Sequence, residues 1–130
     1  MRHRLHSNRL SRPTGARKAL LRRMAASVIL EGKIRTTWAK AKVVAGVVDS
    51  LAASASKGKE YRQIRKVMSK LPSGDLGEKA SRALFDHVEG AKRQTGFVRV
   101  LKLAKRRKGD GAEMAQVELI ALNEGGDPDD

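Results

Sequence analysis

KIRTTWAKAKVVAGVVDSLAASAS, residues 33–56, is the stretch whose reading decides the fold. Its first five residues alternate Ile34 with polar neighbours and are rich in β-branched side chains, which predicts a short strand over 33–37. From Trp38 the pattern changes. Val43, Val44, Val47, Val48 and Leu51 would by themselves suit a strand, but about twenty residues with so many alanines exceed the usual strand length. A helix running from Trp38 to about Ser56, with Thr37 as its cap, is the expectation, so a small sheet and long helices must share one core.

Upstream, residues 1–30 carry Arg2, Arg4, Arg9, Arg12, Arg17, Lys18, Arg22 and Arg23 without a single carboxylate, which is +8 of the formal net charge of +14. A single-sign field of that density asks for a polyanion, either nucleic acid or an anionic membrane surface. Residues 1–13 have no helical or strand period, and Pro13 disfavours helix at Arg12, so they read as an extended basic arm. From Thr14, a candidate N-cap, Leu20, Leu21, Met24, Ala25 and Val28 recur at helical spacing until Gly32 stops the helix. Lys18, Arg22 and Arg23 are expected on the face away from that stripe.

Downstream, Tyr61, Ile64, Val67 or Met68, and Leu71 step as a third helix with Arg62, Arg65, Lys66 and Lys70 outward. After the turn at Pro72, Ser73 and Gly74, Asp75 and Glu78 have the spacing of a variant capping box, and Leu76, Ala80, Leu84 and Val88 make a fourth helix. Strands are predicted over 97–103, with Phe97, Leu101 and Leu103 on one face and Val98 and Val100 on the other, and over 112–122, with Ala115, Val117, Leu119 and Ala121 inward. The Gly and Asp signals near Gly109, Asp110 and Gly111 make the pair an antiparallel hairpin. Residues 14–122 thus read as one globular domain, and residues 123–130 as an acidic tail with no core-forming side chains, expected to be disordered.

At 130 residues and pI of about 10.8, the chain has the charge signature of a nucleic-acid binder. Aromatics make up only 3%, so phosphate contacts rather than base stacking must carry most of the affinity. Cysteine is absent, which removes disulfides and thiolate metal sites. The weakly polar run over 43–55 is too short to span a membrane. The Arg-rich, acid-free start also fits an organellar transit peptide. Against that, Leu20, Leu21, Met24 and Val28 are needed for the core.

Guanidinium forks bind phosphate bidentately, so Arg2, Arg4, Arg9 and Arg12, with His3 as a hydrogen-bond donor, suit insertion between phosphates; the bland reading is a solvated terminus. Lys105, Arg106, Arg107 and Lys108 form a second cluster, extended by Arg99 and Lys102 on the preceding strand. Lys33, Arg35, Lys40 and Lys42 form a weaker third one. No Walker loop, GxSxG or HExxH is present, and Asp86, His87 and Glu89 read as surface polars, so no enzyme, metal, cofactor or small-molecule substrate is expected. The readings open at this point include a nucleoid-type DNA- or RNA-binding protein, which lacks a helix-turn-helix signature, and a cationic membrane-surface protein, which lacks Trp or Phe on the first helix.

Specific stretches resemble a known family. They are Met1-Arg2-His3-Arg4; Arg17-Lys18-Ala19-Leu20-Leu21-Arg22; Lys33-Ile34-Arg35-Thr36-Thr37 leading to Ala39-Lys40-Ala41-Lys42; and Gly96-Phe97-Val98-Arg99-Val100-Leu101-Lys102-Leu103 with Gly109-Asp110, Ala112-Glu113-Met114-Ala115 and Val117-Glu118-Leu119. Together they resemble the bacterial-type large-subunit ribosomal protein seventeen family, and residues 53–95 match it only in helical pattern. The resemblance implies an α+β fold of about four helices on a small three-stranded mixed sheet. It also implies a structural role in packing large-subunit rRNA, on the solvent side of the subunit towards the peptide exit tunnel. Neighbouring large-subunit proteins would be partners, with no membrane and no obligate homo-oligomer. By position, rRNA contact falls on Arg2, His3, Arg4, Arg17, Lys18, Arg22, Arg35, Thr36, Arg99 and residues 102–108. Ala16 and Arg23 depart from the family's usual His and Asn. Those departures, Trp38 and the acidic tail would also suit an organellar ribosome, in a mitochondrion or plastid, as well as one in a bacterial cytoplasm.

Overall fold

The computed structural model describes residues 10–89, 91 and 95–120. In chain order these form α1 (Thr14–Glu31), β1 (Lys33–Thr37), α2 (Trp38–Ala55), α3 (Tyr61–Met68), α4 (Asp75–Val88), β2 (Val98–Lys102) and β3 (Met114–Leu119). Four helices and one three-stranded sheet make the expected α+β class. The helix assigned to residues after Trp38 is the hub, because α2 contacts every other element.

The strand order is β1-β3-β2. β1 pairs with β3 antiparallel, Ile34 opposite Val117, and β2 pairs with β3 antiparallel, Val100 opposite Val117. The sheet is therefore antiparallel throughout, which corrects the expected mixed sheet. β1 and β2 run in the same direction but on opposite edges, separated by the strand that the hairpin returns to the centre.

One core joins the sheet to the helices. Ala25, Ala26, Val28 and Ile29 of α1 meet Ala41, Val44, Val48, Leu51 and Ala52 of α2, and Ala80, Leu84, Phe85 and Val88 of α4 close the other side. The alanines let α1 and α2 approach closely, while the branched side chains fill the space between layers. Beneath the sheet, Phe97, Ala115 and Val117 are fully buried.

Several local expectations are corrected. α1 begins at Thr14 with Pro13 before it, α4 begins at Asp75 with Gly74 before it, and neither start carries a side-chain capping bond; nor does Thr37, although it occupies the cap position of α2. Asp75 and Glu78 act instead as first-turn charges favoured by the helix dipole. Tyr61 is 74% exposed, and Met68 is also exposed, because α3 is only two turns long and buries Val67 alone; in the first turn of α4, Leu76 is exposed as well. Phe97 precedes β2, so Val98 and Val100 are the residues that pack inward from the strand and Leu101 faces solvent. Within the expected arm, Leu10 and Ser11 have φ of 55°, a turn rather than extended chain, and residues 1–9 lie outside the described residues, as does the expected tail.

Candidate nucleic-acid interface

Gly32 joins α1 to β1. Its φ of +83° is costly for any residue with a Cβ, and its N–H caps the helix by donating to Val28 O at 2.8 Å. The chain therefore turns straight from α1 into the edge strand, leaving an open groove of about 610 Å3 between them.

The α1 wall is a single helical stripe, Leu20, Arg23, Met24, Ser27 and Glu31, spaced at three and four residues. The opposite wall is β1, with Lys33, Ile34, Arg35 and Thr36, and the end is closed by Lys40 from α2 and Gln116 from β3. Four cations, Arg23, Lys33, Arg35 and Lys40, thus face a floor of Leu20, Met24 and Ile34, with Glu31 as the one carboxylate. Such a trough can neutralise phosphates at its rim while apolar side chains exclude water beneath.

The groove opens onto the outer face of the sheet. Across it, Lys33 lies opposite Glu118 and Arg99 opposite the same Glu118, while Arg35 lies opposite Gln116. Arg99 donates to Glu118 Oε2 at 2.6 Å. That bond, then one from Gln116, holds the Glu118 carboxyl below its ordinary value. Leu101 is 42% exposed here.

At the hairpin end, the basic loop is tied to its own acids. Arg106 bonds Gly111 O at 3.1 Å and Glu113 at 3.2 Å, Lys102 lies 3.4 Å from Glu113, and Arg107 pairs with Asp110. The Arg107 guanidinium holds the Asp110 carboxyl well below the usual carboxylate range and its own pKa is raised in return. Lys105 and Lys108 are exposed and make no ion pair with a described carboxylate. In this loop the arginines fix the geometry and the lysines carry the outward charge.

Trp38 links the loop to α2. Lys102 Nζ sits 5.4 Å and Lys42 Nζ 5.6 Å from the centroid of its ring, and the Trp38 backbone N–H donates to Glu113 O at 2.8 Å.

The structure brings Arg35, Thr36 and Lys40 together in the groove, and Arg99, Lys102, Lys105, Arg106, Arg107 and Lys108 along the hairpin. Arg17, Lys18 and Arg22 stand apart. Lys18, Arg22, Ala26 and Ile29 lie along one helical row, exposed at its first two positions and buried at its last two. Charge and core therefore divide α1 along its length, not around its circumference as the sequence suggested, because the first turns overhang the core. Arg12 donates to Leu10 O at 3.0 Å; Arg2, His3, Arg4 and Arg9 lie outside the described residues. Arg23, expected with Lys18 and Arg22 on the face away from Leu20 and Met24, instead lines the groove beside those two; sequence reasoning missed Ser27 and Gln116, though the 20, 23, 24, 27, 31 spacing held the first of them.

Asp86 and Glu89 flank Lys59 at 3.4 Å and 3.9 Å, and His87 Nε2 donates to Ile120 O at 2.8 Å. They tie α4 to its neighbours. No described cluster of His, Cys, Asp and Glu could hold a metal ion, and no described helix is long and apolar enough to cross a membrane.

Residues 20–120 match a family described as Ribosomal protein L17. The chain is 42% identical over 123 residues to the large ribosomal subunit protein bL17 of Thermus thermophilus, covering 92% of this chain and 99% of that one. It is 42% identical over 119 residues to the protein of the same name from Staphylococcus carnosus, with 86% and 97% covered. The corresponding figures for that of Maricaulis maris are 41% over 122 residues, with 92% and 83% covered.

Proposed function

Because the chain belongs to the Ribosomal protein L17 family, we propose that it is a structural, non-enzymatic constituent of the large ribosomal subunit that binds and stabilises large-subunit rRNA. Its partners are that rRNA and the neighbouring large-subunit proteins, in the bacterial cytoplasm or an organelle. The observation that carries the rRNA contact is the groove between α1 and β1, lined by Arg23, Lys33, Arg35 and Lys40 with Glu31 as its one carboxylate, the Glu118 opposite Lys33 being already bonded by Arg99. Left bare, these cations repel one another; an RNA backbone laid along the rim offsets that repulsion and releases counterions. The overhanging Arg17, Lys18 and Arg22 and the hairpin lysines extend the contact, and the arm residues Arg2, His3, Arg4, Arg9 and Arg12 add further phosphate-binding charge.

Co-sedimentation tests it. The tagged full chain is expected to travel with large subunits through a high-salt gradient and to give ultraviolet crosslinks to rRNA from positions 23, 35 and 40. Recovery at the top of the gradient, or with DNA or lipid, would defeat the proposal.

A further inference from the structure

A second basic surface lies away from the groove. Residues 57–70 hold Lys57, Lys59, Arg62, Arg65, Lys66 and Lys70 against the single carboxylate of Glu60. Several of the chain's cations are neutralised within the fold: Arg99 with Glu118, Lys102 and Arg106 with Glu113, Arg107 with Asp110 and, within this stretch, Lys59 with Asp86. By contrast, Lys57, Arg62, Arg65, Lys66 and Lys70 are exposed and make no ion pair with a described carboxylate. Arg62 with Lys66 is a like-charge pair at i, i+4, a spacing that destabilises a helix already only eight residues long, and Lys70 adds a further cation just past its end.

Two further features point to what the charge is for. A groove of about 360 Å3 runs between α2 and α3, with Gly46, Val47 and Ser50 in its floor and Lys66 and Lys70 over it. At the other end of α3 stands Tyr61, 74% exposed, with the Arg65 guanidinium 5.6 Å from its ring centroid. An exposed ring next to an array of unpaired cations suits an unstacked base with its phosphates alongside. α3 contacts only α2 and α4, touching neither α1 nor any strand, so this surface and the groove at β1 belong to different sides of the domain.

Resting on the rRNA-binding reading, we propose that α3 and its groove with α2 form a second RNA-binding face, so that one copy of the protein holds two separate RNA segments together. The first segment lies against α1 and β1, the second against Tyr61, Arg62, Arg65, Lys66 and Lys70.

The test uses the full chain and two unrelated RNA hairpins, one immobilised and one fluorescent. Wild-type protein is expected to retain the fluorescent hairpin on the immobilised one. R62Q/R65Q/K66Q/K70Q, shown to be folded by circular dichroism, should still bind the immobilised hairpin but lose the bridging, and the salt slope of total RNA binding should fall by about 3 for the four contacts removed. Independently, a photo-crosslinking phenylalanine derivative at Tyr61 in the otherwise unchanged chain should crosslink to the second hairpin. Undiminished bridging by the quadruple variant, or a position-61 crosslink that goes to an added acidic peptide rather than to RNA, would overturn the inference. If the wild-type chain bound one hairpin without bridging, this inference alone would fall; if it bound neither, the proposed function would fall and take this with it.

Discussion

The backbone N–H of Phe97 donates to Asp49 Oδ1 at 2.8 Å, joining residues 48 positions apart in the chain. Asp49 interrupts the apolar run of α2, and this bond is its use: it sets the start of β2 on the hub helix while the Phe97 ring is fully buried. The Phe97 carbonyl meanwhile accepts from Ile120 N–H at 2.9 Å. Asp49→Ala strands a half-buried donor and is expected to cost about 1.5–3 kcal/mol in urea unfolding, with Asp49→Asn losing less. An Asp49→Ala protein as stable as wild type would remove Asp49 from this role.

Gly77 lies where α4 passes over the chain at Leu71 and Pro72. A Cβ there would fall far inside contact distance of the Pro72 carbonyl oxygen, a backbone atom that cannot swing away. Gly77→Ala should therefore destabilise by about 1–3 kcal/mol or more, through displacement of α4. Gly46, in the middle of α2 with nothing near its missing Cβ, should behave oppositely: Gly46→Ala is expected to raise stability by up to about 1 kcal/mol. Thermal melts of the two variants should shift in opposite directions.

The pH response of the sheet follows from Glu118. Its folded-state pKa is depressed below its ordinary value of 4.5, first by the bond from Arg99 and then by that from Gln116. A depressed carboxylate contributes stability that is complete above the unfolded value and is lost as pH falls through the folded one. Arg99→Gln should therefore be less stable than wild type at neutral pH, with the difference closing as the pH drops below 4.5. Asp110 is shifted the same way by Arg107, but that pair is open to solvent and screening leaves it little weight. A difference that stayed constant from pH 7 to pH 3 would dismiss the Arg99–Glu118 pair as the cause.

Removal of the groove's charge should weaken RNA binding in a salt-dependent way. For Lys33→Gln/Arg35→Gln/Lys40→Gln, the slope of log affinity against log salt is expected to be shallower than wild type by about 2–3, measured by fluorescence anisotropy on a large-subunit rRNA fragment. An unchanged slope would mean that these three side chains touch no phosphate.

Trp38 is the one tryptophan, and two lysines converge on it. A double-mutant cycle between Trp38→Leu and Lys102→Met should return a coupling of about 0.5–1 kcal/mol, the usual worth of a partly exposed cation–π contact. Additive losses would show that the ring and the ammonium are merely neighbours.

Much of this protein is legible in its residues alone. The order of elements follows from periodicity: Ile34 among polar neighbours gives a short strand, the valines and alanines after Trp38 give a helix, and Gly32 marks where the first helix ends and the strand begins. Local spacing governs these choices, because backbone hydrogen bonding within a helix or turn depends on near neighbours. Charge is legible for the same reason, since the basic excess of residues 12–40 is a property of composition wherever those residues fold. Everything that depends on distant residues meeting had to wait for the packed chain. The antiparallel pairing of β1 with β3, the division of α1 lengthwise into overhang and core, and the capture of Arg106 and Arg107 by Glu113 and Asp110 are all of this kind. So is the assembly of Arg23, Lys33, Arg35 and Lys40 around one groove, which requires α1, β1 and α2 to pack together. Periodicity shows which faces are apolar but not which face meets which, and that choice rests on burial summed over the whole core.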